Sequence, residues 1–214
     1  MGEPWRAEAA RLFRGKGSFG NGAGMRAAPI GAYFAPDLER VRAEALRSAE
    51  PTHAHPDGAA GAVAIAIAAA LAQLHVPGDT LIAEVVKWTP PGLTRDKLQR
   101  ADQLGLAFEV QLAGEELGTG SNVTSQDTVP FAVWAAARCL ASYEDALWTA
   151  TAHPGLDLAS NAMSIFAIDR DTIGAMVGGI VACGTGLEGI PLLWRAATEP
   201  LPTIHVPATD RMRS

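Results

Sequence analysis

Apolar residues recur at helical spacing along most of this chain, and the strict alternation of a half-buried strand is not found. Residues 4–13 predict a short helix with Trp5, Ala9, Leu12 and Phe13 on one side. Pro36 and Asp37 open a second helix, with Leu38, Val41 and Ala45 at i, i+3 and i+7, ending near Ser48 ahead of Pro51. "GAVAIAIAAALAQLHV", residues 61–76, is apolar on every side and a little short for a membrane span, so it predicts a buried core helix. Asp79 is placed as the N-cap of "TLIAEVVKW", which "TPPG" stops because proline removes a donor and restricts its predecessor. Thr94 begins another helix, closed by Gly105. Residues 111–127 read as loop. Helices follow from about Pro130, from the near capping box "SYED" at 142–145 to "HPG" at 153–155, in "IGAMVGGIVACGTG" and in "IPLLWRAA". "LASNAMSIFAI" is read as helical or extended. About nine helical segments and no linker predict an all-α fold: one compact domain over 1–198, with a Pro-rich tail over 199–214.

Composition narrows the class. The 214 residues are 48% hydrophobic and 19% charged, the balance of a soluble globular domain with a real core. A formal net charge of -6 argues against a non-specific nucleic-acid binder, which should be basic. Cys139 and Cys183 lie far apart without metal spacing. Residues 1–17 lack the pattern of a signal peptide, and the expectation is a reducing, cytoplasmic location with no membrane contact.

Three clusters carry candidate chemistry. Gly15, Gly17 and Gly20 have the G-x-G-x-x-G spacing of a dinucleotide fingerprint, but that loop needs a strand before it and a helix directly after. Here a helical pattern precedes, and Pro29 and Gly31 follow. A glycine-rich loop is either a tight connection between helices or an anion nest, to which Ser18 adds a hydroxyl and Asn21 an amide. "PTHAHP", residues 51–56, sets two histidines at the mouth of the long helix, where the dipole favours anions. "DRDT", residues 169–172, offers hard oxygen ligands of the kind Mg²⁺ takes; equally, Asp and Thr are preferred helix caps. The same motif is compared with haloacid-dehalogenase-type phosphatases, which need a parallel sheet and downstream catalytic residues that this pattern does not provide.

In this order the three clusters, with "TVPFAVWAA" before the last, resemble the ADP-ribosylglycohydrolase family, from about Gly17 to Trp194. The resemblance implies an all-α orthogonal multi-helix bundle that is N-terminally incomplete. It implies hydrolysis of the glycosidic bond joining ADP-ribose to a side chain or other conjugate, beside two Mg²⁺ or Mn²⁺ ions. Carried over, Ser18, Phe19, Gly20, Asn21 and Gly22 line the diphosphate and ribose, His53 lies near the ligand, and Asp169, Asp171 and Thr172 hold metal. The family's early acidic motif, a threonine and two aspartates, has no counterpart: no Asp-Asp pair occurs in the chain, so the catalytic residues are unassigned and one metal half-site is visible. Arg170 stands between the acids where the family has a small residue. Three accounts fit: a fragment or miscalled start, a non-catalytic ADP-ribose-binding member, or a second chain that supplies the missing helices. Loss of those helices predicts exposed apolar surface on the Ala-rich helix, and hence a homodimer or a partner chain covering it.

Overall fold

The computed structural model describes residues 4–151 and 169–200. Twelve α-helices occur among them: α1 (Pro4–Gly15), α2 (Gly22–Met25), α3 (Ala28–Phe34), α4 (Leu38–Ala49), α5 (Pro56–Gln73), α6 (Gly78–Trp88), α7 (Leu93–Leu104), α8 (Val110–Leu117), α9 (Val129–Arg138), α10 (Tyr143–Thr151), α11 (Arg170–Thr185) and α12 (Leu192–Ala197). Short 3-10 turns occupy Ser125–Asp127 and Leu187–Gly189. Among the described residues the sole extended pairing is an isolated bridge between Gly20 and Thr124. The all-α expectation holds, and the phosphatase comparison fails for want of a sheet. "LASNAMSIFAI" and the tail beyond residue 200 lie outside the described residues.

The Ala-rich helix is the centre of the fold. α5 has the length and apolarity to cross a membrane, yet 83% of it is buried inside the protein. α2, α3, α4, α6, α9 and α11 all pack against it. Its alanines and glycines present a low relief that lets neighbouring backbones come close. It begins at Pro56 rather than Gly61, because the His55 ring accepts from Asp57 N (3.1 Å) and caps it, and Pro56 suits the first position. It stops at Gln73, before His75 turns into the left-handed region at φ 55°. The apolar surface expected to lie bare on this helix is therefore covered, and that ground for a dimer falls away.

Other boundaries also moved. α1 is regular only to Arg11: Leu12 is extended, Phe13 and Arg14 are left-handed, and only Ala9 of its apolar face is buried. The glycine-rich stretch, read as one loop, contains α2 and α3, whose Ala23, Gly24, Ala28 and Gly31 are buried. Asp79 lies in the first turn of α6, with Pro77 at the cap; its charge still suits the dipole there. α8 was expected to be loop; Glu109 caps it by accepting from Leu112 N (2.9 Å). Asp37 caps α4 through Arg40 N (3.0 Å), Gly105 ends α7 at φ 70°, and Ser142 Oγ accepts from Asp145 N (3.2 Å) at the head of α10, all as expected.

α9 is locked to the end of α7 by Trp134. Its ring is fully buried, stacks on Phe131 with centroids 5.9 Å apart, and donates from Nε1 to Gly105 O (3.0 Å). The Arg138 guanidinium covers it at 5.3 Å. Trp134→Ala should lower stability by about 3–5 kcal/mol, the usual cost of emptying a large aromatic site. Leu193→Ala, at an 81% exposed position, should change it by less than about 0.5 kcal/mol. Urea unfolding midpoints check both.

Candidate functional site

The stretch after α1 is an extended strap, not a Rossmann turn. It runs between residues 54–55 and 123–125 and bonds to both: His55 N donates to Ser18 O (3.3 Å), Ser125 N to Phe19 O (2.9 Å) and Asn21 N to Val123 O (3.2 Å). Gly17 makes this possible. It sits at φ 73°, and a Cβ there would lie 2.6 Å from His55 N. Its glycine character serves chain crossing. Gly20 N is turned inward as well, donating to Ser18 Oγ (3.2 Å).

A cleft of about 470 Å³ opens along this strap. Ser18 to Gly22 line it, His53 closes one side, and Asn122, Val123 and Thr124 face them. Phe13 also borders it. Its ring stands 6.0 Å from that of Phe19, which in turn meets His55 edge-on at 5.4 Å. Phe13 was expected on the apolar face of α1, and residues 122–124 had no expected role. The signal for Phe13 lay in "FRGKG": a phenylalanine against a glycine run belongs to the turn, and here it is 58% exposed.

The expected ligand residues thus share one cleft. His53 presents its Cε1–Nε2 edge to the strap, so close that a Cβ at Gly22 would lie 3.3 Å from Cε1. Its Nδ1 pairs with Thr52 Oγ1 (2.8 Å), a hydroxyl that also accepts from Arg26 (2.6 Å). Burial, and then the Arg26 charge, lower the His53 pKa below the ordinary 6.5.

Asp57 is a buried acid that the motif reading passed over. Its Oδ1 accepts from Thr94 N (3.1 Å), and Thr94 Oγ1 donates to Asp57 O (3.2 Å). The side chain thereby ties the head of α5 to the head of α7 and serves two helix N-termini with one carboxylate.

The acidic motif closes the far end of the strap. Asp169 precedes α11, its N–H donating to Thr119 O (2.9 Å). Gly120, at φ 81°, admits it: a Cβ there would lie 2.5 Å from the Asp169 Cβ. Asp169 Oδ2 accepts from Asn21 Nδ2 (3.2 Å), so residues 148 positions apart meet. A hydrogen bond with the Asp169 carboxyl, then the N–H groups of Thr172 and of Asp171 itself, hold the exposed Asp171 carboxyl below its usual value. Thr172 is buried beside them and Arg170 is exposed. Among the described residues no third His, Cys, Asp or Glu joins this pair.

The lowered His53 pKa makes a signed prediction. The folded protein holds this ring neutral, so stability is fully present above pH 6.5 and is lost as pH falls through the range between 6.5 and the lower folded value. His53→Gln should flatten that part of the profile, measured as urea midpoints between pH 5 and 7.5 on the order of the histidine titration range.

The sequence profile of the ADP-ribosylglycohydrolase family matches residues 2–213. The chain is 29% identical to the ADP-ribosylhydrolase ARH3 of Mus musculus over 92% of its own length and 56% of that protein. For the ADP-ribosylhydrolase ARH3 of Homo sapiens the values are 28%, 92% and 57%. An uncharacterized protein of Archaeoglobus fulgidus is 33% identical over 53% of the chain and 37% of its own length. The chain spans little more than half the length of the ARH3 proteins it matches. The strap, the histidine turn and the acidic pair lie within the matched span, and the chain belongs to the ADP-ribosylglycohydrolase family.

Proposed function

We propose that the cleft binds ADP-ribose and that the chain acts as a hydrolase removing it from a protein side chain or another conjugate. The observation that carries this reading is the direct contact of the cleft with the acidic pair, through Asn21 and Asp169. Family membership and the name of the ARH3 relatives support it. The Phe13 and Phe19 rings give a flat base two aromatic faces at one end. Ser18, Gly20 and Gly22 let a diphosphate approach the backbone with no bulky side chain between. His53, neutral at pH 7, offers a hydrogen bond without charge. Ribose then reaches toward Asp169 and Asp171.

The acidic residues fit a divalent cation in part. Two carboxyls two positions apart at the head of α11, with a threonine beside them, are hard oxygen donors suited to Mg²⁺ or Mn²⁺. Bound there, such an ion would supply positive charge to ribose oxygens and to the charge that develops as the glycosidic bond breaks. Asp169 is held in place by Asn21, and Asp171 by backbone N–H groups, so both carboxyls are oriented before any ligand arrives. The absence of a third acid or histidine beside them, among the described residues, favours a second reading: a module that binds ADP-ribose without cleaving it.

Calorimetric titration with ADP-ribose, with and without Mg²⁺, tests the ligand. Binding that strengthens with Mg²⁺ is expected, and Phe19→Ala should weaken it about tenfold, the order of one stacked base. No binding under either condition contradicts the reading. Release of ADP-ribose from modified arginine and serine peptides then separates hydrolase from binding module.

A further inference from the structure

We infer that Asn21 is a positioning residue that couples the ligand cleft to the acidic pair, so that filling one tightens binding at the other. The inference rests on the ADP-ribose reading above. Asn21 is only 4% exposed, and its Nδ2 lies 3.0 Å from Thr128 Oγ1 and 3.2 Å from Asp169 Oδ2. The Thr128 hydroxyl donates to Thr124 O (2.9 Å), so toward Asn21 it accepts. A carboxylate accepts as well. Both partners therefore require the amide nitrogen, and both of its protons are engaged. No N–H remains on this side chain to donate to a ligand.

The main chain of Asn21 is fixed from the other direction. Its N–H donates to Val123 O (3.2 Å) in the far wall of the cleft, and its carbonyl accepts from Gly24 N (2.9 Å) at the start of α2. One residue thus holds the strap by its backbone and an acid by its side chain. A ligand that presses on Gly20 and Gly22 moves or steadies Asn21, and with it the plane of the Asp169 carboxyl. Binding at either end should then favour binding at the other by the same factor, because coupling between two sites is reciprocal.

The test measures both ligands on the whole chain. ADP-ribose affinity is read by calorimetry with and without saturating Mn²⁺, and bound Mn²⁺ by electron paramagnetic resonance with and without ADP-ribose. In the native chain each ligand should tighten the other by an equal factor, of about 5-fold or more. Asn21→Ala should bring the coupling factor close to one, whatever its effect on the metal-free ADP-ribose affinity, because the factor is a ratio of affinities within the same variant. Thr128→Val, which removes the acceptor that orients the amide, should reduce the factor too, and Thr128→Ser should restore it. Thermal melts establish that each variant is folded, and the Thr128 pair carries the test if Asn21→Ala is not. Native coupling in folded Asn21→Ala, or in Thr128→Val, overturns the inference. A native chain that binds ADP-ribose without any effect of Mn²⁺ overturns it while sparing the ligand reading. A native chain that binds no ADP-ribose overturns both.

Discussion

The burial of one helix of small side chains governs this structure. α5 is apolar all round, so it reaches a favourable state only when neighbours cover every face. Its alanines and glycines contribute little volume, and coverage is gained by bringing backbones close rather than by interlocking large residues. The elements that supply the site are arranged on this helix: α2 follows the strap, α4 leads into the histidine turn, and α11 begins at the acidic pair. The few large residues of the core, Trp134 and Phe131 among them, fill the wider space around α9.

The site forms where chain segments cross at the head of α5. An extended strap, a histidine turn and the loop before α9 meet there without a sheet, and their backbone groups satisfy one another across the crossing. Polar side chains complete the junction. Asp57 binds the heads of α5 and α7 together, and Asn21 and Thr128 join the strap to Asp169. What remains turned outward is a cleft with aromatic rings at one end, tied to the Asp169 carboxyl through Asn21. On the proposed reading it receives a ligand with a flat base, a diphosphate and a sugar in sequence.

The sequence made the all-α class, the central helix and the three clusters legible, each for a local reason. Continuous apolar character marks a buried helix, and Asp37, Gly105 and Ser142 are caps that act on their own neighbours. The errors share a cause. α2 and α3 are rich in glycine and alanine and look like loop until the surface of α5 is there to receive them. α8 is short, and its cap, Glu109, is an acid more often found on an open surface. The first turn of α5 hides Asp57, whose partner Thr94 is 37 positions away. Asn21 was recognised as part of the site, but not its link to the acidic pair. Nothing local announces that a residue 148 positions on will take its amide proton.

On the proposed reading the strap, the paired rings and the acidic residues form one continuous binding site. A crystal structure of the chain with ADP-ribose tests it most directly. The base is expected beside Phe13 and Phe19, the diphosphate along Ser18 to Gly22, and ribose hydroxyls toward Asp169 and Asp171. ADP-ribose seated away from this cleft, or lying in it with its ribose turned from the acids, would overturn the single-site reading.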